Sequence, residues 1–493
     1  MSTYDLLIIG GGINGVGIAR DAAGRGLSVL LVEKDDLAAH TSSSSSKLIH
    51  GGLRYLEQYE FRLVAEALAE REVLLRIARH LVWPARFVMP HVPELRPRWM
   101  IRAGLFLYDH LSRRTSLPGS HAVRLDAPPY NSGLRPQFSH GFIYSDCRVD
   151  DARLVIINAM DACRRGGEIL TRTECLSARR EGDSWRVTLA GGREVRARAI
   201  VNAAGPWVKR VLNERLGQPS RDGVKLVKGS HIVLPQLYQG DHAFILQNDD
   251  RRVVFMIPYG ERHTLVGTTD VALDGDPGAA QASDAEVAYL CRAVGRYLAR
   301  PVEPAQVAWR YAGVRPLFDD GTNDPSAITR DYTLRVDDVS GAVPVLSIYG
   351  GKVTTYRRLA EHAMQKLAPY FPQLKASWTA TEPLLGGDFA GASREQARDA
   401  FFARYHDLPQ ETLRGLFRRH GMLAYDVLGD ARVITDLGGH FGAELYAREV
   451  DYLMAREWAK SAEDVLWRRT KAGLHLDLAQ REAVSRYCAQ RVS

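Results

Sequence analysis

The sequence predicts an α/β dinucleotide-binding fold with an inserted antiparallel sheet and a helical C-terminal domain. Three observations predict it. The chain opens on a strand–turn–helix–strand unit with Gly10, Gly12 and Gly15 in its turn. Short apolar runs recur at 230–234, 243–246, 253–257 and 264–266. Composition shifts near Gly386 and Gly387, after which Arg, Glu, Ala and Leu fall at helical spacing to the end of the chain.

Taken in order, residues 5–9 read as a buried strand, 10–15 as a turn, 16–24 as a helix and 27–33 as a second strand. Residues 63–80 and 98–111 have helical spacing, and 118–135 is loop-rich. Four prolines within 81–97 predict an irregular or edge-like stretch. A helix follows at 150–165, then short strands at 168–203 broken by Gly182, Gly191 and Gly192, and a helix at 352–367 after a Gly-Gly turn.

Composition sets wide bounds. The 493 residues are 45% apolar and 25% charged, as in an ordinary globular chain, which excludes disorder and collagen-like repeats. A net charge of +7 and a pI near 9.1 permit a phosphate substrate, a nucleic acid or an anionic membrane without choosing among them. Cys147, Cys163, Cys175, Cys291 and Cys488 form no CxxC pair, so neither a disulfide framework nor a zinc or other metal site is expected. No apolar run reaches the ~18 residues of a membrane span. Residues 6–9 are too few for a signal-peptide core.

The motifs carry more. Glycines at 10, 12 and 15 let a pyrophosphate approach the backbone at a helix N-terminus. Glu33 ends the next strand, where a carboxylate accepts from a ribose hydroxyl. The apolar run 200–203 ends in Ala204 and Gly205, small enough for close approach of a cofactor, which favours a flavin over a nicotinamide dinucleotide. The serine-rich run 41–46 passes straight into Lys47, His50, Arg54 and Tyr55. Its hydroxyls and Lys47 suit a second wall for the pyrophosphate, while His50, Arg54 and Tyr55 suit a substrate pocket. Polar groups gather again at Lys228 and His231, at Thr269 and Asp270, and at Arg315 in a Gly-Val-Arg-Pro turn. An arginine so placed is ready for bidentate contact with phosphate or carboxylate. The turn of Gly350 and Gly351 leads through Lys352 and Thr354 into a helix, whose N-terminus favours the negative charge of a reduced flavin. In the 98–114 stretch, Arg98, Arg102, Asp109 and Arg113 fall within about 60° of a helical wheel. Trp99, Met100, Ala103, Phe106, Leu107 and Leu111 fill the opposite arc, a pattern suited to lying in a headgroup plane.

Together these segments resemble the bacterial FAD-dependent glycerol-3-phosphate dehydrogenases of the aerobic, quinone-linked type. The likeness spans nearly the whole chain. It is most specific at SSKLIHGGLRYLE (45–57), RTSLPGS (114–120), YSDCRVDDARL (144–154), KGSHIVLP (228–235), GTTD (267–270), GVRPLFDD (313–320) and YGGKVTTYRRLAE (349–361).

The resemblance implies a glutathione-reductase-like, D-amino-acid-oxidase-like FAD domain interrupted by a substrate cap. The expected units are a discontinuous FAD domain (1–80, 141–228 and 310–375), a membrane-contact segment (81–140), a cap (229–309) and a helical domain (386–493). It implies oxidation of sn-glycerol 3-phosphate to dihydroxyacetone phosphate, with electrons leaving through FAD to a membrane quinone. Gly10, Gly12, Ile13, Asn14, Gly15 and Glu33 are then to hold adenosine and pyrophosphate. Thr41, Ser42, Ser46 and Leu48 are to line the flavin, and Arg54, Tyr55, His231, Thr269, Asp270, Arg315 and Lys352 to surround the substrate. His231 is the preferred base because an ordinary imidazole titrates near neutrality; His50 is the alternative, and Arg315 the cation that would otherwise polarise the alkoxide. A homodimer on the anionic cytoplasmic face of a bacterial inner membrane is expected, with no nucleic-acid partner. Direct use of oxygen, as in an oxidase, is the nearest rival; a non-catalytic FAD-containing nucleic-acid-binding or scaffold protein is a distant one.

Overall fold

The computed structural model describes residues 2–112, 116–219, 222–250, 252–319, 331–338 and 343–492. Arg113, Arg114, Thr115 and Asp320, which the sequence reading used, lie outside the described residues. The first sheet grows from the opening unit. Strand Ser2–Ile9 pairs in parallel with Val29–Val32 on one side and Glu194–Asn202 on the other. Glu168–Leu170 and Val345–Tyr349 extend the parallel array, and Thr333–Asp337 closes it as an antiparallel edge. Near-continuous apolar runs such as Leu6 to Ile9 are what a parallel strand covered on both faces requires. Helices Ile13–Gly24, Asp151–Arg164 and Tyr356–Leu367 cover one face. The hairpin Cys175–Glu181/Ser184–Leu189 and residues 208–216 pack on the other. Gly17 lets the first helix meet the third: a Cβ there would lie 2.8 Å from the Tyr356 ring.

The second sheet is larger and mostly antiparallel. A long strand near one edge, Val224–Pro235, pairs with Trp309–Phe318 on one side and with His263–Gly267 and Val271–Ala272 on the other. Val253–Tyr259, Ala243–Gln247, Val82–Pro90 and His140–Val149 continue it to the short strand Leu48–Ile49. The four apolar runs expected as strands are therefore strands. The 81–97 stretch differs from expectation: Val82–Pro90 is an interior strand. Its prolines are tolerated because the parallel pairing on its other side covers only Phe87 and Val88, so neither Pro84 nor Pro90 interrupts a ladder there.

Beyond residue 386 the chain is helical, with helices such as Arg394–Arg404, Gln410–His420, Ala447–Arg456 and Leu478–Val492. One small ribbon, His440–Gly442 with Leu445–Tyr446, departs from the all-helical expectation. All five cysteines are free. Among the described residues, no helix is long and apolar enough to cross a membrane.

Candidate active site

Ligands of open parallel sheets bind beyond the carboxyl ends of the strands. Here four such ends, Ile9, Val32, Asn202 and Tyr349, run into Gly10, Glu33, Ala203 and Gly350. The second sheet faces them, and between the two lies a cleft of about 590 Å³. Gly10, Gly12, Ile13, Asn14, Glu33, Thr41, Ser42, Ser46, Leu48, Ala204, Gly205, Gly350, Gly351 and Thr354 all line it.

The glycine turn is built by close approach. Gly10 has φ +114°, and a Cβ there would lie 2.5 Å from the Ala203 carbonyl oxygen. Gly15 does not face the cleft. Its role is to let helix and turn touch, since a Cβ would fall 1.9 Å from the Gly10 oxygen. Gly12 precedes the first helix with no side-chain cap on it. The Ile13 amide donates to Ser42 Oγ (2.9 Å), and Asn14 Oδ1 is buried at this helix end without a partner. Glu33 accepts from the amides of Gly11 (2.7 Å) and Asp35 (2.8 Å). Burial raises its carboxyl pKa while those amides oppose the rise. Thr41 Oγ1 donates to the Val314 carbonyl (2.7 Å), tying the serine run to the second sheet. A glycine turn at a helix N-terminus, a carboxylate beside it and a long cleft fit FAD: Gly10, Gly12, Ile13, Asn14 and Glu33 would hold its adenosine diphosphate, and Thr41, Ser42, Ser46, Leu48 and residues 350–354 its ring.

The far end of the cleft is cationic. Arg315 Nη1 meets Asp270 Oδ1 closely, and its Nη2 donates to Thr268 Oγ1 (3.2 Å). Arg54 Nη1 stands 4.0 Å from the other Asp270 oxygen. Lys352 Nζ lies 3.9 Å from the Tyr55 ring centre. Gly229 makes room for this arrangement, because a Cβ there would fall 2.5 Å from Arg315 Nη2. His231 and His50 line the same end. His231 stacks on Tyr311 at 4.9 Å, its Nε2 lies 2.9 Å from Ser46 Oγ, and its Nδ1 is buried without a partner. Burial, then Lys47 and Arg315, push its pKa well below the ordinary imidazole value. His50 falls to about 4, through burial and then Lys352. Neither imidazole therefore titrates near neutrality, which was the sequence argument for His231; both are held neutral, with a lone pair to accept a proton.

Besides Gly15, two expected residues stand elsewhere. Lys47 turns from the cleft and is buried on Asp151, its Nζ 3.0 Å from both carboxylate oxygens. Asp151 opens the helix that follows strand His140–Val149, a partner too distant in sequence to be read locally. Thr269 is also buried away from the cleft: its Oγ1 donates to Glu286 Oε1 (2.9 Å) and accepts from the Ser230 amide (2.9 Å). Its neighbour Thr268 takes the cleft position. Lys228 turns to the same Glu286 (2.8 Å), because successive strand residues face opposite sides. Lys34, Trp207, Arg210 and Arg215 also line the cleft, as do Ile245, Val253 and Phe255 near His50, and none of these was expected from the sequence. The first four sit on loops and a short helix with no motif of their own. The alternation along 243–257 is the only signal for the others.

Fold and cleft define a dinucleotide-dependent oxidoreductase with an anion pocket. Residues 5–341 match the family described as FAD dependent oxidoreductase, and 377–490 match the C-terminal domain of alpha-glycerophosphate oxidase. The chain is 53% identical to a glycerol-3-phosphate dehydrogenase of Pseudomonas aeruginosa, over 98% of this chain and 94% of that one. It is 51% identical to the aerobic glycerol-3-phosphate dehydrogenase of Escherichia coli, over 100% and 99%. A D-erythritol 1-phosphate dehydrogenase of Brucella abortus is 50% identical over 98% and 97%. The glycerol-3-phosphate dehydrogenase of Bacillus halodurans complexed with FAD superposes with a TM-score of 0.76 at 27% identity, covering 99% of this chain and 90% of that one. The chain belongs to the FAD-dependent glycerol-3-phosphate dehydrogenase family.

Proposed function

We propose that this chain oxidises sn-glycerol 3-phosphate to dihydroxyacetone phosphate and delivers the electrons to a membrane quinone. The observation that carries the substrate is the pair Arg54 and Arg315 on the Asp270 carboxylate, with Lys352 over the Tyr55 ring lining the same cleft. Such a group suits a dianionic phosphate, and the binding energy is spent away from the reacting carbon. FAD, when bound, supplies the hydride acceptor. The protein's own part is threefold. Arg315 and Arg54 grip the phosphate, Lys352 and Tyr55 close the same end, and His231 takes the proton of the C2 hydroxyl. Its neutral imidazole is held in place by Tyr311 and Ser46 with a lone pair free to take that proton, and the burial that keeps it neutral also makes it a weaker base than an ordinary histidine. His50, neutral for the same reason, is the second group able to do this.

Docking on an anionic membrane rests on helix Arg98–His110. It buries Ile101, Leu105 and Tyr108 against the protein yet leaves Trp99 70% and Phe106 58% exposed, with Met100 and Leu107 beside them and Arg98 and Arg102 flanking. An apolar face with flanking arginines is what an interfacial helix presents to lipid. The reading is tested by steady-state turnover under nitrogen with a soluble quinone. Efficiency with sn-glycerol 3-phosphate is expected to exceed that with D-erythritol 1-phosphate; the reverse order would assign the site to the longer polyol phosphate. Stoichiometric peroxide in air without quinone would make it an oxidase instead.

A further inference from the structure

The cleft is lined by residues of the two sheets, yet one short stretch of the C-terminal domain reaches toward both of its ends. This stretch is the helical turn Asp464–Arg469.

On the adenosine side, Arg469 is fully buried and places both terminal nitrogens on Asp36. Arg468 Nε adds a third bond to the same carboxylate at 2.7 Å. Asp36 is itself buried and stands three residues after Glu33. The segment between them is stitched on the same side: the Thr173 amide donates to the Glu33 carbonyl (2.7 Å) and the Arg172 amide to that of Asp35 (2.8 Å). Arg172 then returns to Asp464 through its Nη2, 2.5 Å away. The loop that presents Glu33 to the cleft is thus fastened to the C-terminal domain by buried, charge-assisted bonds.

On the substrate side, Trp467 stacks on Trp309 at 4.7 Å. Trp309 packs on Tyr311 at 4.8 Å, and Tyr311 stacks on His231 at 4.9 Å with ring planes 13° apart. The Tyr311 hydroxyl donates to the Ser45 carbonyl (2.9 Å), so this column also holds the serine run.

We propose that Asp464–Arg469 is a clasp by which the C-terminal domain positions both halves of the active site, Arg468 and Arg469 acting on Glu33 through Asp36 and Trp467 acting on His231 through Trp309 and Tyr311. None of these clasp residues touches substrate; they are positioning residues. The cofactor arm needs only that FAD binds, whereas the Trp467 arm rests on the reading of His231 as the proton acceptor.

The test uses full-length protein, with folding followed by circular dichroism and FAD binding by fluorescence of the deflavinated chain. Replacing the buried ion pair with a neutral pair, Asp36→Asn with Arg469→Gln, is expected to raise the Kd for FAD about tenfold or more, the effect of losing charge-assisted bonds that order the loop. If that double variant fails to fold, Arg468→Ala leaves Arg469 on Asp36 and is expected to weaken FAD severalfold. A folded variant that binds FAD like the parent overturns the cofactor arm. Trp467→Ala is expected to lower kcat about tenfold with KM changed less than twofold, and Trp467→Phe to recover most of the loss, because only the stacking surface matters. A merely structural role would lower thermal stability without that split between kcat and KM; unchanged kcat overturns the arm. Should sn-glycerol 3-phosphate not be the substrate, the parent enzyme shows no turnover with it while the Kd comparison still decides the cofactor arm.

Discussion

Gly267 faces His231 across paired strands, and a Cβ at 267 would come within 2.0 Å of His231 Cδ2. The imidazole cannot yield, because Tyr311 is stacked on it. Gly267→Ala is therefore expected to displace His231 and lower kcat/KM by about 100-fold, the cost of a misplaced proton acceptor. FAD content, read from the visible spectrum, should stay at one per chain. Retained efficiency would remove His231 from the chemistry.

Arg315 and Asp270 form the closest ion pair at the cationic end of the cleft. Arg315→Ala is expected to reduce kcat/KM by roughly 100-fold, about 3 kcal/mol, because it removes a charge-assisted contact and leaves Asp270 facing the phosphate. Arg315→Lys should recover little, since an ammonium lacks the two-pronged geometry that reaches both Asp270 and Thr268. Steady-state kinetics at fixed FAD decide it.

Gly12→Val is expected to yield a folded, colourless protein. Even a lone Cβ at 12 would lie 3.0 Å from Ser42 Oγ, and the added methyls would project where the pyrophosphate must approach. FAD titration by fluorescence checks this; normal binding would place the cofactor elsewhere.

The unfolded chain takes up protons on its histidines below about pH 6.5. Native His50 resists protonation until about 4, and His80 and His231 are likewise pushed down by burial. Between those limits the unfolded state binds more protons, so stability is fully present above about pH 6.5 and falls as pH drops. Glu361 and Glu449, both lowered to about 2, add a second loss as pH falls below their ordinary range. Urea midpoints at intervals from pH 7 to 4 should decline, and His50→Asn should flatten the upper part of that decline.

Trp99→Ser with Phe106→Ser is expected to release the enzyme from membranes without loss of flavin, because both side chains are largely exposed and neither supports the core. Dye reduction should survive while reduction of membrane quinone falls. Flotation with anionic vesicles checks it; unchanged flotation would move docking to another face.

What could be read in advance follows from how local each signal is. Gly10, Gly12 and Glu33 belong to one continuous unit, and its spacing alone places them at strand ends. Lys47 was unreadable because its partner Asp151 arrives from a helix across the fold. Thr268 and Thr269 differ only in which side of the chain they face, and a shift of one residue exchanges cleft for core. Val82–Pro90 was hidden by prolines whose tolerance depends on a two-residue pairing with Ala243–Gln247. The clasp of Arg469 on Asp36 joins residues 433 apart and leaves no trace in either local sequence.

Anaerobic titration of the purified flavoprotein asks whether this cleft binds FAD and oxidises sn-glycerol 3-phosphate. One equivalent of sn-glycerol 3-phosphate is expected to bleach the oxidised flavin band, with dihydroxyacetone phosphate formed in equal amount. A flavin band that persists through excess sn-glycerol 3-phosphate would exclude it as the substrate.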